Sequence, residues 1–127
     1  MIYLDTHVVL WLYVGERNKL SDFVRSIIAQ EFVLACSPIV RLELQYLYEI
    51  GRITDQPNVI LADLLERIDL NICKKDFSLI IDQALGISWT RDVFDRLIVA
   101  NAMIDQNILL TKDYKILANY ANAKWND

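Results

Sequence analysis

The chain has 127 residues, 54% of them hydrophobic, with a net charge of −4, three Gly and two Pro; its mean hydropathy is +0.23 and its pI about 4.9. One domain with a full core is expected, and disordered or low-complexity chains are excluded. The acidic balance argues against holding nucleic acid by broad electrostatic attraction. It suits a basic protein partner, or a site where a cation stands between protein and phosphate.

Ile2-Tyr3-Leu4-Asp5 is a short β-prone run ending at a carboxylate, and Thr6 or Asp5 can cap a helix through Val8, Val9, Leu10, Trp11 and Leu12. The longest apolar run, Val8 to Val14, is far shorter than the roughly 20 residues of a membrane-spanning helix. The N-terminus has no basic leader, so no signal peptide is expected and a cytoplasmic location is the default. Ser21 caps a helix with helical spacing at Phe23, Val24, Ile27 and Ile28. Phe32-Val33-Leu34-Ala35-Cys36 reads as a fully buried strand.

Ser37-Pro38 starts a helix that runs to about Ile50 and stops at Gly51. Asp55-Gln56-Pro57 opens the next, through Ile68. Leu70 to Cys73 is a short strand, and Asp76 caps a helix that ends at Gly86. A long helix is predicted from about Phe94 to Gln106, then a strand at Ile108 to Leu110. Asp113 starts a short final helix, and Ala123-Lys124-Trp125 can form a last edge strand. Strands alternating with helices predict an α/β fold: a short parallel sheet of about four or five strands covered by helices on both faces. Cys36 and Cys73 stand apart in apolar contexts, which predicts two buried reduced thiols.

In such folds the working site lies beyond the carboxyl ends of the strands. Asp5 and Asp113 both fall there. Glu43 interrupts an apolar helical stretch between Leu42 and Leu44, and Asp95 precedes the apolar positions Leu97 to Ala100. A carboxylate facing a core is costly unless paired or bound to metal. Two such charges about 4 Å apart repel by roughly 4 kcal/mol at an effective dielectric near 20. A divalent cation removes that penalty, and oxygen ligands without His or Cys favour Mg²⁺ or Mn²⁺ over zinc. Such clusters serve phosphodiester hydrolysis. The competing explanation is that Asp5, Asp95 and Asp113 are ordinary helix caps and Glu43 lies on a solvated face beside Arg41.

Four segments match one known family. Leu4-Asp5-Thr6-His7 with Leu10-Trp11 resembles the opening of VapC-type PIN-domain toxins. The stretch from Arg91 to Ala100 resembles that family's Asp-Pro-Phe-Asp-Arg-Leu-Ile segment, with Val93 in the Pro place. Leu109 to Asp113 resembles its late strand and acid, and Ser37 to Glu43 the helix carrying its second acid. The resemblance implies a PIN-like three-layer sandwich spanning residues 1–127. It also implies an Mg²⁺-dependent (Mn²⁺ is the other candidate) endoribonuclease, the toxin of a toxin–antitoxin pair.

By position, Asp5, Glu43 and Asp95 become the principal metal-site and catalytic carboxylates, completed by Asp113. Thr6 and Thr111 are expected to order water or a neighbouring carboxylate. Asp92 is expected to be a helix cap or outer partner of Asp95, Arg96 a structural or dimer contact, and Lys112 a phosphate contact. His7 is expected to be a packed residue without a role as general base, and Trp11, Trp89 and Tyr13 core or interface residues. The family also implies RNA as substrate, a homodimer, and a VapB-like antitoxin whose tail covers the site. A phosphatase on a similar sheet would want a second acid after the first strand, which Asp5-Thr6-His7 lacks. The remaining alternative is a catalytically inactive PIN-like module that binds RNA or a protein.

Overall fold

The computed structural model describes residues 1–126. In chain order its main elements are β1 (Ile2–Leu4), α1 (Thr6–Val14), α2 (Asp22–Ala29), β2 (Leu34–Cys36), α3 (Pro38–Glu49), α4 (Pro57–Ile68), β3 (Asn71–Ile72), α5 (Phe77–Leu85), α6 (Val93–Met103), β4 (Ile108–Leu110), α7 (Tyr114–Asn119) and β5 (Ala123–Lys124). Every strand pairing is parallel, in the order β3-β2-β1-β4-β5. The chain belongs to the predicted α/β class. Among the described residues no helix is long and apolar enough to cross a membrane.

The three central strands are short but almost wholly buried, whereas β3 at the edge is exposed. Ile2, Tyr3 and Leu4, then Leu34, Ala35 and Cys36, then Leu109 and Leu110 form the middle layer. Val8, Val9, Val40, Leu44, Leu64, Ile80 and Ile98 pack onto it from the helices. From β1 the sheet grows through β2 to β3, then jumps back to β4 on the far side of β1. With right-handed connections, this reversal changes the face on which the helices lie. The direction switches between β1 and β4, where such sheets leave a crevice at their carboxyl ends.

Capping fixes several helix starts from local sequence. Asp5 accepts from the Thr6 amide, Ser21 from Val24, Ser37 from Ile39, Asp76 from Ser78, Asp92 from Asp95, and Asp113 from Lys115 and Ile116. Gly51 follows α3 at φ 78°, a left-handed value that disfavours side chains bearing a Cβ. Two expectations need correction. Phe32 and Val33 are exposed: residue pairing starts with Leu34 opposite Ile2, so the strand is shorter than expected. The opening of α4 is as expected, with Gln56 in the cap position before Pro57, while Asp55 accepts the Tyr13 hydroxyl.

The second correction concerns α6, which ends at Met103 rather than continuing to Gln106. Asp105 and Gln106 take φ values of 67° and 51°, so the chain turns back toward β4. The carbonyls exposed by that break are met from a distant part of the sequence. Lys75 Nζ donates to Asn101 O (3.3 Å), Ile104 O (2.6 Å) and Asn107 Oδ1 (2.7 Å). A cation at a helix carboxyl end also suits the helix dipole.

Lys75 therefore anchors the helix that carries Asp95. Lys75→Met keeps the aliphatic stem but strands those acceptors, and should lower stability by about 2 kcal/mol. Lys74→Met, on the exposed neighbour, should stay within about 0.5 kcal/mol of the parent. Urea unfolding of the two variants checks the contrast, and equal effects would remove the anchoring role.

Candidate metal centre at the β1/β4 crevice

Asp5 leaves β1 and is 4% exposed. Its backbone N–H donates to Leu110 O at 3.0 Å, which ties the end of β1 to the end of β4. Its Oδ1 accepts the Thr6 amide at 2.8 Å and its Oδ2 accepts the Thr111 hydroxyl at 2.7 Å. The Thr6 hydroxyl donates to Glu43 Oε1. Thr6 thus bonds to two carboxylates, one through its backbone and one through its side chain. This brings α3 to the end of β1.

Asp95 sits in the first turn of α6, where its amide donates to Asp92 Oδ1 at 3.0 Å. Burial pushes the Asp95 carboxyl up to about 7, and the charges of Asp92, Asp5, Asp113 and Glu43 add to the shift in that order. Glu43 is also raised, first by burial and then by Asp5 and Asp92, against the opposing hydrogen bond from Thr6. Residues spread from position 5 to position 113 therefore act on one another. The charges of the other three predicted acids, and that of Asp92, therefore reach Asp95.

A repeated local device places two of these acids. The Thr111 hydroxyl accepts the Asp113 amide, and the Thr90 hydroxyl accepts the Asp92 amide. In each case the aspartate then caps the next helix. Thr90-Arg91-Asp92 and Thr111-Lys112-Asp113 are the same Thr-x-Asp turn with a basic middle residue. Thr90 is the buried participant that the sequence reading missed, although the recurrence of the motif was visible.

The donors are hard oxygens, the chemistry that Mg²⁺ or Mn²⁺ prefers. Among the described residues no three acidic, His or Cys side chains are grouped so that they could enclose a metal ion directly. Asp5, Asp92 and Asp113 each commit an oxygen to a helix cap. Mg²⁺ commonly takes only one or two carboxylates and keeps several waters. A set of carboxylates around Asp95, whose carboxyl is raised first by burial and then by its neighbours' charges, fits such an ion.

His7 packs at the edge of this group. Its Nε2 accepts the Lys112 amide at 2.9 Å, its Nδ1 stands 3.6 Å from Asp5 Oδ2, and its ring centroid is 5.0 Å from that of Trp11. Burial lowers its pKa, against the pull of Asp5 and Asp113. The neutral ring thus helps fix the turn after β4. Trp11, Trp89 and Tyr13 are half-buried against the core. Lys112 is exposed, with Nζ 5.8 Å from the Trp11 ring centroid. Arg96 turns away and donates to Ala84 O at 3.1 Å, linking α6 to α5.

A raised carboxyl makes the metal-free protein pH-sensitive. Folding raises Asp95 from an ordinary 3.8 to about 7, so within that window the folded chain binds more protons than the unfolded one. Stability therefore falls as pH rises through it. Asp95→Asn removes this loss and should stabilise the metal-free protein by about 2 kcal/mol near pH 8. Urea unfolding with chelator present measures it; a variant no more stable than the parent at that pH would contradict the account.

The PIN domain family model matches residues 2–122. No curated protein sequence matches. A toxin–antitoxin complex from Klebsiella pneumoniae contains a chain similar in structure, with a TM-score of 0.71 and 18% identity, covering 100% of this chain and 99% of that one. A chain of VapBC2 from Rickettsia felis, solved bound to a DNA fragment from its promoter, gives a TM-score of 0.67 at 22% identity, covering 99% and 100%.

Proposed function

This chain belongs to the PIN domain family, and from that premise we propose that it is a divalent-metal-dependent endoribonuclease, the toxin of a toxin–antitoxin pair. The observation that carries the proposal is the Asp95 carboxyl, raised to about 7 where four further carboxylates bear on it. A group of negative charges kept together at a sheet's switch point needs a cation to be useful.

In this reading Asp5, Glu43 and Asp95 hold Mg²⁺, with Mn²⁺ able to substitute, and Asp113 completes the site directly or through water. The bound ion supplies a more acidic water and neutralises charge growing on a phosphodiester. The side chains supply the positioning. Thr111 holds Asp5 from one side, and the Thr6 amide holds it from the other. The Thr6 hydroxyl fixes Glu43. Asp92 orders the first turn of α6, and Lys112 lies next to the site, where it can meet a phosphate. No side chain serves as a covalent nucleophile.

The partners follow from the same reading. Both structural neighbours come from toxin–antitoxin assemblies. Leu42 and Tyr46 on α3, the helix of Glu43, and Ile50 just past its end leave an exposed apolar stripe. A VapB-like antitoxin tail covering the site would bury such surface, and a homodimer would bury more. RNA in the cytoplasm is the proposed substrate. The openness of the carboxylate ring favours one second reading, a PIN module that binds a partner without cutting RNA.

Asp5→Asn should lower Mg²⁺-dependent RNA cleavage by at least about 100-fold, roughly 2.7 kcal/mol of transition-state stabilisation, while circular dichroism stays unchanged. Full cleavage by that variant would remove Asp5 from the site. A parent protein that binds RNA but never cuts it would establish the second reading. Expression of the chain alone should slow growth, and a small protein encoded beside it should restore growth. Normal growth with active enzyme present would overturn the toxin assignment.

A further inference from the structure

Beside the acids, along α1, lies a group of aromatic rings and cations. His7 Nδ1 stands 3.6 Å from Asp5 Oδ2. One helical turn further along α1, the Trp11 ring centroid is 5.0 Å from that of His7 and 5.9 Å from that of Trp125, which meets it edge-on. Trp125 is 9% exposed, and its carbonyl accepts the Ser21 hydroxyl. The Trp11 indole is thus backed by packed neighbours while part of it stays open to solvent.

Two lysines from distant parts of the chain meet at that indole. Lys112 follows β4, and Lys19 closes the short turn Arg17–Lys19 after α1. The Nζ of each stands 5.8 Å from the Trp11 centroid, close to the outer limit of a cation–π contact. Both side chains are exposed. Among the described residues Lys112 forms no ion pair. Lys19 reaches Glu16 at 2.6 Å, an exposed pair of the kind that water and salt largely screen. Two ammonium groups therefore gather at one ring, in a chain whose net charge is −4.

Single-stranded nucleic acid is held by this combination: bases stack on an aromatic face and cations follow the backbone. We propose that Trp11, Lys19 and Lys112 form a subsite for single-stranded RNA next to the acid group, with one base stacked on the indole and the two ammonium groups on neighbouring phosphates. The subsite builds on the nuclease reading of the acids and adds the course of the strand, from Asp5 past His7 and over α1 toward Lys19. Both lysines have long, exposed stems, so their ammonium groups can leave the ring for phosphates as the base arrives. An acidic protein then keeps hold of a polyanion in two ways. Its carboxylates work through a bound cation, and its own cations are gathered one helical turn away.

Binding of a short fluorescein-labelled single-stranded RNA to the full chain, with Ca²⁺ in place of Mg²⁺, tests this by fluorescence anisotropy over a range of salt. Lys19→Gln and Lys112→Gln should each flatten the dependence of log affinity on log salt by about 0.7, the value for one phosphate contact on a single strand. Trp11→Leu should weaken binding at least about tenfold and leave that slope unchanged. Lys74→Gln, beyond the opposite edge strand β3, should leave both at the parent's values. A Trp11→Leu variant that binds like the parent would overturn the subsite. So would lysine variants that keep the full slope, or a duplex of the same sequence that binds as tightly as the single strand. If Trp11→Leu folds poorly by circular dichroism, the two lysine slopes decide. A parent that binds RNA in this way and never cuts it ends the nuclease reading and keeps the subsite. A parent that cuts RNA while these variants bind normally does the reverse.

Discussion

Electrostatic repulsion among carboxylates at the β1/β4 crevice is the constraint around which this chain is organised. A fold of this size cannot bring the charges of Asp5, Glu43, Asp92, Asp95 and Asp113 to bear on one another at no cost; at Asp95 they add to burial, the larger cause of its raised carboxyl. The arrangement persists because each acid is held by something other than its neighbours. Asp5, Asp92 and Asp113 begin helices, where unpaired backbone N–H groups and the positive end of the helix dipole favour negative charge. Glu43 and Asp95 cap no helix, and burial raises both of them.

The scaffold is suited to carry that load. A three-residue strand contributes little by itself, but β1 lies between β2 and β4 and is buried on both faces. The bond from the Asp5 amide to Leu110 O and the bond from the Thr111 hydroxyl to Asp5 Oδ2 join the two strand ends. On the other side of the crevice, α6 is secured at its far end by Lys75.

Local chemistry was legible in the sequence and long-range completion was not. Asp5, Ser21, Ser37-Pro38, Asp76 and Asp113 announce helix starts because a capping side chain acts within three residues of itself. The acids could be nominated because they follow strands or interrupt apolar runs. Phe32 and Val33 looked like strand because β-prone apolar residues do not reveal where pairing begins. The end of α6 was overestimated because nothing near Met103 signals a stop. The left-handed turn at Asp105 and Gln106 is stabilised by Lys75, some thirty positions upstream, and no window of local sequence contains that partnership. Asp92 read correctly as a cap, yet its weight as the foremost charge on Asp95 depended on geometry alone.

Two opposite electrostatic environments share the same backbone elements. Just past β1, Asp5 belongs to the carboxylate group, while Tyr3 within the strand donates to the Cys73 sulfur. On α6, Asp95 lies in the first turn and Asn101 near the last. At the amino end of the helix, negative charges crowd together and burial makes them harder to keep. At the carboxyl end, Lys75 and a set of N–H and O–H donors gather around one sulfur. The dipole of α6 points its positive end at the acids and its negative end at the lysine, so one helix lowers the energy of both clusters. That shared support explains how a small acidic chain keeps two polar sites within an apolar core.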